Sequence, residues 1–127
     1  MAGKLSKHIL LIEEDTFLAN MYRTKFEAEG FKISISENGE IGLTDAKKKN
    51  PDLILLDILL QKKDGFTVLE ELKAQAATKN IPVILFTNLG QKDDVEKGLE
   101  LGAVDYLIKA HVKPSETVSK VKKVLGF

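Results

Sequence analysis

The chain alternates five short apolar runs with longer stretches in which apolar residues recur at helical spacing. The apolar runs are HILLI (8–12), FKISIS (31–36), DLILLD (52–57), IPVILF (81–86) and VDYLIK (104–109). Three of these runs are continuously apolar at their centres, which is typical of strands buried on both faces of a parallel sheet. FKISIS instead alternates apolar and polar residues, and this pattern predicts an edge strand.

The stretches between these runs predict helices, at 16–30, 38–50, 66–77, 91–102 and 116–125. In the first of them, the residues expected to share a buried face are Phe17, Leu18, Met21 and Phe26. In 66–77 a similar apolar stripe runs from Phe66 to Ala76. The helical pattern is weaker in 38–50 and 91–102, because each of these stretches contains internal glycines.

Strand and helix alternating five times predict a doubly wound α/β domain, with a parallel sheet between two layers of helices. The common five-stranded version has the strand order 2-1-3-4-5, so the order reverses between strands 1 and 3. Sites in such sheets lie beyond the carboxyl ends of the strands, at this reversal. We therefore expect a three-layer, flavodoxin-like fold in which residues 1–127 form a single domain.

Composition narrows the kinds of function that are possible. The 127 residues carry a formal net charge of zero, contain no cysteine and include one arginine, Arg23. Zero net charge argues against charge-driven binding to nucleic acid or membrane surfaces. Without cysteine, the chain has no disulfide and no thiolate nucleophile or metal ligand. The N-terminal apolar stretch is too short for a signal peptide or a membrane span, so we expect a cytoplasmic protein.

Acidic residues follow the two predicted strands that meet at the reversal. Glu13, Glu14 and Asp15 follow strand 1, and Asp57 ends strand 3. We expect these carboxylates to meet in one crevice, where their charges would repel each other. A hard divalent cation with oxygen ligands, such as Mg²⁺, would relieve that repulsion.

The next two strands add a hydroxyl and a cation to this crevice. Strand 4 ends in Thr87 and strand 5 ends in Lys109. Acids, a metal, a hydroxyl and an ammonium together are suited to a phosphoryl group. An aspartate carboxylate can act as the nucleophile and carry the phosphoryl as an acyl phosphate. The sequence therefore favours phosphoryl chemistry centred on Asp57.

This pattern resembles the receiver domain of two-component response regulators, and the resemblance covers essentially the whole chain. The positions that carry it are Glu13, Glu14, Asp57, Gly65, Thr87, Tyr106 and Lys109. Gly65 is the glycine that follows the acceptor aspartate by eight residues in this family. The segment GLELGAVDYLIK (98–109) also matches the family pattern G-A-x-D-Y-L-x-K closely.

The resemblance implies that Asp57 is the phosphoacceptor and that Thr87 and Lys109 assist it. Phosphorylation would move Thr87 toward the phosphoryl oxygen and turn Tyr106 inward, which would change the surface of helix 4, strand 5 and helix 5. The implied cofactor is Mg²⁺, and its implied ligands are Glu13, Glu14, Asp57 and the backbone carbonyl of Leu59. The chain would not be an enzyme beyond self-phosphorylation from a phosphodonor and slow autodephosphorylation.

The resemblance also implies the partners. They are a histidine kinase or phosphotransfer protein upstream and a protein target or effector domain downstream, with no direct contact to nucleic acid or membrane. The chain ends soon after the fifth predicted helix, so we expect a stand-alone receiver or one domain of a longer regulator. A monomer is expected, and dimerisation on phosphorylation is left open.

Four positions depart from the family pattern. The second acid is Glu14 where the family usually has aspartate, Asn88 replaces a small residue, and Gln61 and Ala110 replace prolines. We expect a trans peptide bond before Ala110, since a non-proline cis bond costs about 2.5–4 kcal/mol.

These departures leave a second function open, in which a pseudo-receiver keeps the fold as an interaction module without phosphotransfer. Mg²⁺ binding and phosphoryl uptake discriminate between the two. A different α/β enzyme is disfavoured, because no acid lies two residues after Asp57 and no glycine-rich phosphate-binding motif is present.

Overall fold

The computed structural model describes residues 7–127, and its strands and helices alternate as the sequence predicts. The strands are β1 (His8–Ile12), β2 (Lys32–Ser36), β3 (Leu53–Leu56), β4 (Val83–Thr87) and β5 (Asp105–Ile108). The helices are α1 (Thr16–Ala28), α2 (Gly39–Lys49), α3 (Gly65–Ala74), α4 (Lys92–Glu100) and α5 (Pro114–Leu125). A 3₁₀ turn at Lys109–His111 links β5 to α5. None of the helices in this part of the chain is long and apolar enough to cross a membrane.

The strands form one parallel sheet in the order β2-β1-β3-β4-β5, which confirms the predicted fold class. β2 is an edge strand, as its alternating pattern predicts. Successive strand residues point to opposite faces, so β1 contributes Ile9 and Leu11 to one apolar core and Leu10 and Ile12 to the other. Residues of α1 and α5 complete the first core, and residues of α2 and α3 complete the second.

Helix α1 buries a different face from the one that its phenylalanines predicted. Tyr22 and Phe26 are buried, but Phe17 is 85% exposed. Phe17 and Phe26 are nine residues apart, which is about two and a half helical turns, so they lie on opposite sides of the helix. The prediction that both face the core is wrong. Ala76 is likewise exposed, because α3 ends at Ala74.

Side-chain caps fix where three of the helices begin, close to the carboxyl edge of the sheet. Asp15 caps α1, Asn38 caps α2 and Asp64 caps α3, and each accepts a hydrogen bond from a backbone N–H of the first turn. The loops after β1 and β2 are short, the loop after β3 spans residues 57–64, and a cap anchors the end of each one. This anchoring holds the carboxyl edge of the sheet in a defined shape.

Candidate functional site

The ammonium of Lys109 joins two buried carboxylates at the carboxyl edge of the sheet. Its Nζ lies 2.7 Å from Oδ2 of Asp57 and 2.5 Å from Oε1 of Glu13. The side chains of Glu13 and Asp57 are only 2% and 7% exposed. β1 and β3 are neighbouring parallel strands, so their ends deliver the two acids to the same place. An aspartate can follow the apolar run of β3 because it lies at this edge with a cation beside it.

The protonation of this trio follows from burial and from the ion pairs. Burial raises the pKa of Glu13, and Asp57 adds to the effect, against the opposing influence of Lys109 and the N–H of Asp15. Burial alone would lower the pKa of Lys109, but its bonds to Asp57 and Glu13 outweigh that effect and raise it. Lys109 is therefore a permanent cation in the crevice.

Gly65 lets helix α3 start directly against the segment that carries Asp57. A Cβ at Gly65 would lie 2.1 Å from the carbonyl oxygen of Asp57 and 2.5 Å from Cα of Ile58. The N–H of Gly65 donates to the carbonyl of Ile58 at 2.8 Å. Any side chain at position 65 would push the β3–α3 joint apart and move the aspartate. This contact is the physical reason for a glycine eight residues after the acid.

Two of the four acids expected in the crevice have their carboxylates bonded to backbone N–H groups. Oε2 of Glu14 accepts the backbone N–H of Gln61, and Oδ1 of Asp15 accepts that of Leu18 at 3.0 Å. Glu14 lies in a bend after β1, and its carboxylate is engaged by the backbone of the loop that follows β3. Residues 7–127 contain no group of three acidic, histidine or cysteine side chains placed to hold a metal ion. The expectation that all four acids meet is therefore wrong for Asp15, which caps α1, while Glu14 is bonded to the loop that follows β3.

The remaining oxygens still suit a hard divalent cation. Within the described residues, Oε1 of Glu13 has no hydrogen-bond partner beyond the ion pair with Lys109. The N–H of Leu59 donates to Oδ1 of Asp57 at 3.2 Å, which folds this segment back around the carboxylate. Oxygen donors are the ligands that Mg²⁺ prefers. Glu14 would join them only by giving up its bond to Gln61.

Thr87 and Tyr106, the two predicted switch residues, meet at the backbone of Leu89. Thr87 is fully buried, and its Oγ1 accepts the N–H of Leu89 at 3.3 Å. The hydroxyl of Tyr106 donates to the carbonyl of the same residue. Burial, followed by the charges of Asp94 and Asp57, raises the pKa of Tyr106 to about 12, so the phenol remains a donor. Tyr106 therefore already contacts the loop between β4 and α4.

Asn88 has a partner that sequence reasoning missed. Its Oδ1 accepts the backbone N–H of Ala110 at 3.0 Å. The peptide bond before Ala110 is trans, as predicted, and residues 7–127 contain no cis peptide bond. A signal was present in the sequence, because alanine at this position has the N–H that the family's proline lacks.

Comparison with known sequences identifies one protein family. The family model described as the response regulator receiver domain matches residues 9–122. Over 117 residues the chain is 36% identical to the DNA-binding dual master transcriptional regulator RpaA of Synechocystis, covering 92% of this chain and 48% of that protein. The chain thus spans about half the length of such curated relatives.

Solved structures agree with this result. The receiver domain of a Francisella response regulator superposes with a TM-score of 0.85 at 28% identity, covering 92% of this chain and 94% of that chain. The receiver domain of a sensor histidine kinase from Pseudomonas aeruginosa was solved with a magnesium ion coordinated in its active-site cleft. It superposes with a TM-score of 0.86 at 25% identity, covering 96% of this chain and 99% of that chain.

Proposed function

Because the chain belongs to the family of response regulator receiver domains, we propose that Asp57 accepts a phosphoryl group from a histidine kinase or phosphotransfer protein. The observation that carries this proposal is the position of Asp57. It is a buried carboxylate at the end of β3, held 2.7 Å from the ammonium of Lys109. A nucleophile and a permanent cation are thus already adjacent in the crevice.

The transfer step makes one bond and breaks one. An oxygen of Asp57 bonds to the phosphorus of a phosphohistidine donor while the P–N bond breaks, and the bonding electron pair leaves with the histidine nitrogen, which takes up a proton. Lys109 neutralises charge on the phosphoryl oxygens during the transfer. The hydroxyl of Thr87 then gives up the N–H of Leu89 and donates to a phosphoryl oxygen.

We propose Mg²⁺ as the cofactor, held by Glu13, Glu14, Asp57 and the carbonyl oxygen of Leu59. When bound, it supplies positive charge that stabilises the transferring phosphoryl group. The buried oxygen of Glu13, whose one contact is the ion pair with Lys109 among the described residues, and the magnesium in the similar Pseudomonas receiver support this assignment. Glu14 takes part by exchanging the N–H of Gln61 for the cation.

The output is a change in the surface formed by α4, β5 and α5, which a downstream protein or effector domain reads in the cytoplasm. Leu89 links the crevice to this surface, because the hydroxyls of Thr87 and Tyr106 both form hydrogen bonds with its backbone. Gly98 is the only buried residue of α4, so little packing opposes a shift of this helix. Dimerisation through the same surface is one way in which the change can be read.

Intact-protein mass spectrometry tests the acceptor. The protein is incubated with a small-molecule phosphodonor, with and without Mg²⁺, beside Asp57→Asn and a control, Asp64→Asn. We expect a Mg²⁺-dependent gain of one phosphoryl group in the wild type and the control and none in Asp57→Asn. A gain that persists in Asp57→Asn would place the acceptor elsewhere.

The position of Glu14 favours a second candidate, an interaction module that is not phosphorylated. Its carboxylate is bonded to Gln61, and the described residues contain no three-acid group for a metal. Calorimetric titration with Mg²⁺ separates the two candidates. If the protein neither binds Mg²⁺ nor gains mass, the interaction module becomes the better description.

A further inference from the structure

Where the ladder between β4 and β5 ends, a side chain replaces the backbone as hydrogen-bond acceptor. The last paired residues are Thr87 and Ile108. Beyond them β5 bends into the 3₁₀ turn, and the N–H of Ala110 finds Oδ1 of Asn88 at 3.0 Å. This bond ties together two loops that are 22 residues apart in the sequence.

The two bonded residues each adjoin a side chain of the crevice. Asn88 follows Thr87, and Ala110 follows Lys109. The ammonium of Lys109 sits at the end of a long, flexible side chain, so its place beside Asp57 depends on where its backbone is held. The turn that begins at Lys109 carries no side-chain cap of its own. The bond from Asn88 therefore holds the backbone of this turn, beside the ion pairs that hold the ammonium of Lys109.

We propose that Asn88 is a positioning residue for phosphoryl acceptance and acts through Ala110 on Lys109. The hydrogen bond depends on both residues. It needs an amide side chain at position 88 and a backbone N–H at position 110, and proline has no such N–H. This inference rests on the proposed function and adds a residue to it. The hydrogen bond of Asn88 goes to Ala110 and not to Asp57, so its proposed role is to position Lys109 and not to act on the phosphoryl group.

The first test asks whether the bond exists in solution, where water competes for it. Amide hydrogen exchange of Ala110 is measured by NMR in the wild type, Asn88→Leu, Asn88→Asp and Gln91→Leu. Leucine matches asparagine in size but accepts no hydrogen bond, whereas aspartate keeps Oδ1. Gln91 lies in the same exposed loop and makes no capping hydrogen bond, so it is the matched control.

We expect Asn88→Leu to speed exchange at Ala110 about fivefold, the factor that corresponds to one net hydrogen bond. Exchange in Asn88→Asp and Gln91→Leu should stay within twofold of the wild type. Unchanged exchange in Asn88→Leu would overturn the inference. This measurement needs no phosphoryl group, so it decides the bond independently of the proposed function.

The second test asks whether the bond positions Lys109. The rate of phosphorylation by a small-molecule donor at saturating Mg²⁺ is separated into a maximal rate and a half-saturating donor concentration. We expect Asn88→Leu to lower the maximal rate about fivefold while the protein stays folded with a Tm only a few degrees lower, and Asn88→Asp to restore both. Gln91→Leu should behave as the wild type.

Two results would overturn the positioning role. In one, exchange at Ala110 rises in Asn88→Leu but the maximal rate does not fall. In the other, the wild type takes up no phosphoryl group, so that the proposed function itself fails while the exchange result still stands.

Discussion

The position of a single lysine explains how two carboxylates can be buried side by side. Glu13 and Asp57 approach the same ammonium, and neither could remain charged in so little water without it. The fold itself brings the two acids together, because neighbouring parallel strands end at the same edge of the sheet. The ion pairs with the lysine compensate for the burial of both charges. Lys109 therefore has a structural role in addition to its proposed role in phosphoryl transfer.

Replacing Lys109 with methionine should destabilise the protein in a pH-dependent way. Removing one partner leaves buried charge unpaired, and we expect a loss of about 3 kcal/mol at pH 8. The folded-state pKa of Glu13, already raised by burial, would rise further, so the folded state would bind a proton that the unfolded state lacks. Stability then falls as pH rises through that pKa, and the loss should be smaller at pH 5.

Urea unfolding of the wild type and Lys109→Met at both pH values measures this loss. Lys122→Met is the control, because Lys122 makes an ion pair with Glu29 of similar length between half-exposed side chains. Its effect should be much smaller and nearly independent of pH. Equal losses at pH 5 and pH 8 for Lys109→Met would contradict the argument.

Shortening Glu14 to aspartate should tighten Mg²⁺ binding several-fold. Aspartate has one methylene fewer, so its bond to the N–H of Gln61 would be lost or weakened and would compete less with the metal. Mg²⁺ also demands ligands at well-defined positions. Calorimetric titration of the wild type, Glu14→Asp and Asp15→Asn measures the effect. The third variant keeps the cap of α1 and should bind as the wild type does, and weaker binding by Glu14→Asp would exclude this competition.

At the scale of elements, the hydrophobic pattern was enough to predict the strands, and the common five-stranded version of the fold supplied their order. Continuous apolar runs identify strands buried on both faces, and alternation identifies the edge strand β2. The pattern failed where direction mattered. Phe17 lies half a turn from the buried face of α1, and the carboxylate of Glu14 is bonded to the backbone of Gln61. Helical spacing alone separates Phe17 from Phe26, whereas the bond between Glu14 and Gln61 is a long-range contact that composition and spacing do not contain.

The joint between β3 and α3 should not tolerate a side chain at Gly65. Gly65→Ala places a methyl group against backbone atoms that cannot rotate away, and we expect a loss of about 1–3 kcal/mol. Gly90→Ala is the comparison, because its Cβ would meet mainly the flexible end of Ile108. Chemical denaturation gives both values, and NMR shifts of Asp57 and Ile58 report whether the joint has moved. A loss no larger than that of Gly90→Ala would show that this close approach is not needed.

At the scale of the whole molecule, the sheet brings the ends of four strands to one edge and connects them through few contacts. Glu13 and Asp57 meet through Lys109, while Thr87 and Tyr106 meet through Leu89. The first group is proposed to receive charge and the second to move in response. Both groups of residues lie at the carboxyl edge of the sheet. A negative charge added to Asp57 can therefore act on the loop before α4 without a rearrangement of either apolar core.

Mg²⁺ should therefore stabilise the fold as a whole, although it would touch only this edge. A ligand that binds only the folded state at one hundred times its dissociation constant adds about 2.7 kcal/mol to the free energy of unfolding. For a chain of 127 residues this corresponds to a rise in Tm of several degrees. Calorimetry with MgCl₂, with NaCl of equal ionic strength and with EDTA measures it, and Asp57→Ala should lose most of the rise. An equal rise with NaCl would mean that general screening of the acids, and not a bound cation, stabilises the crevice.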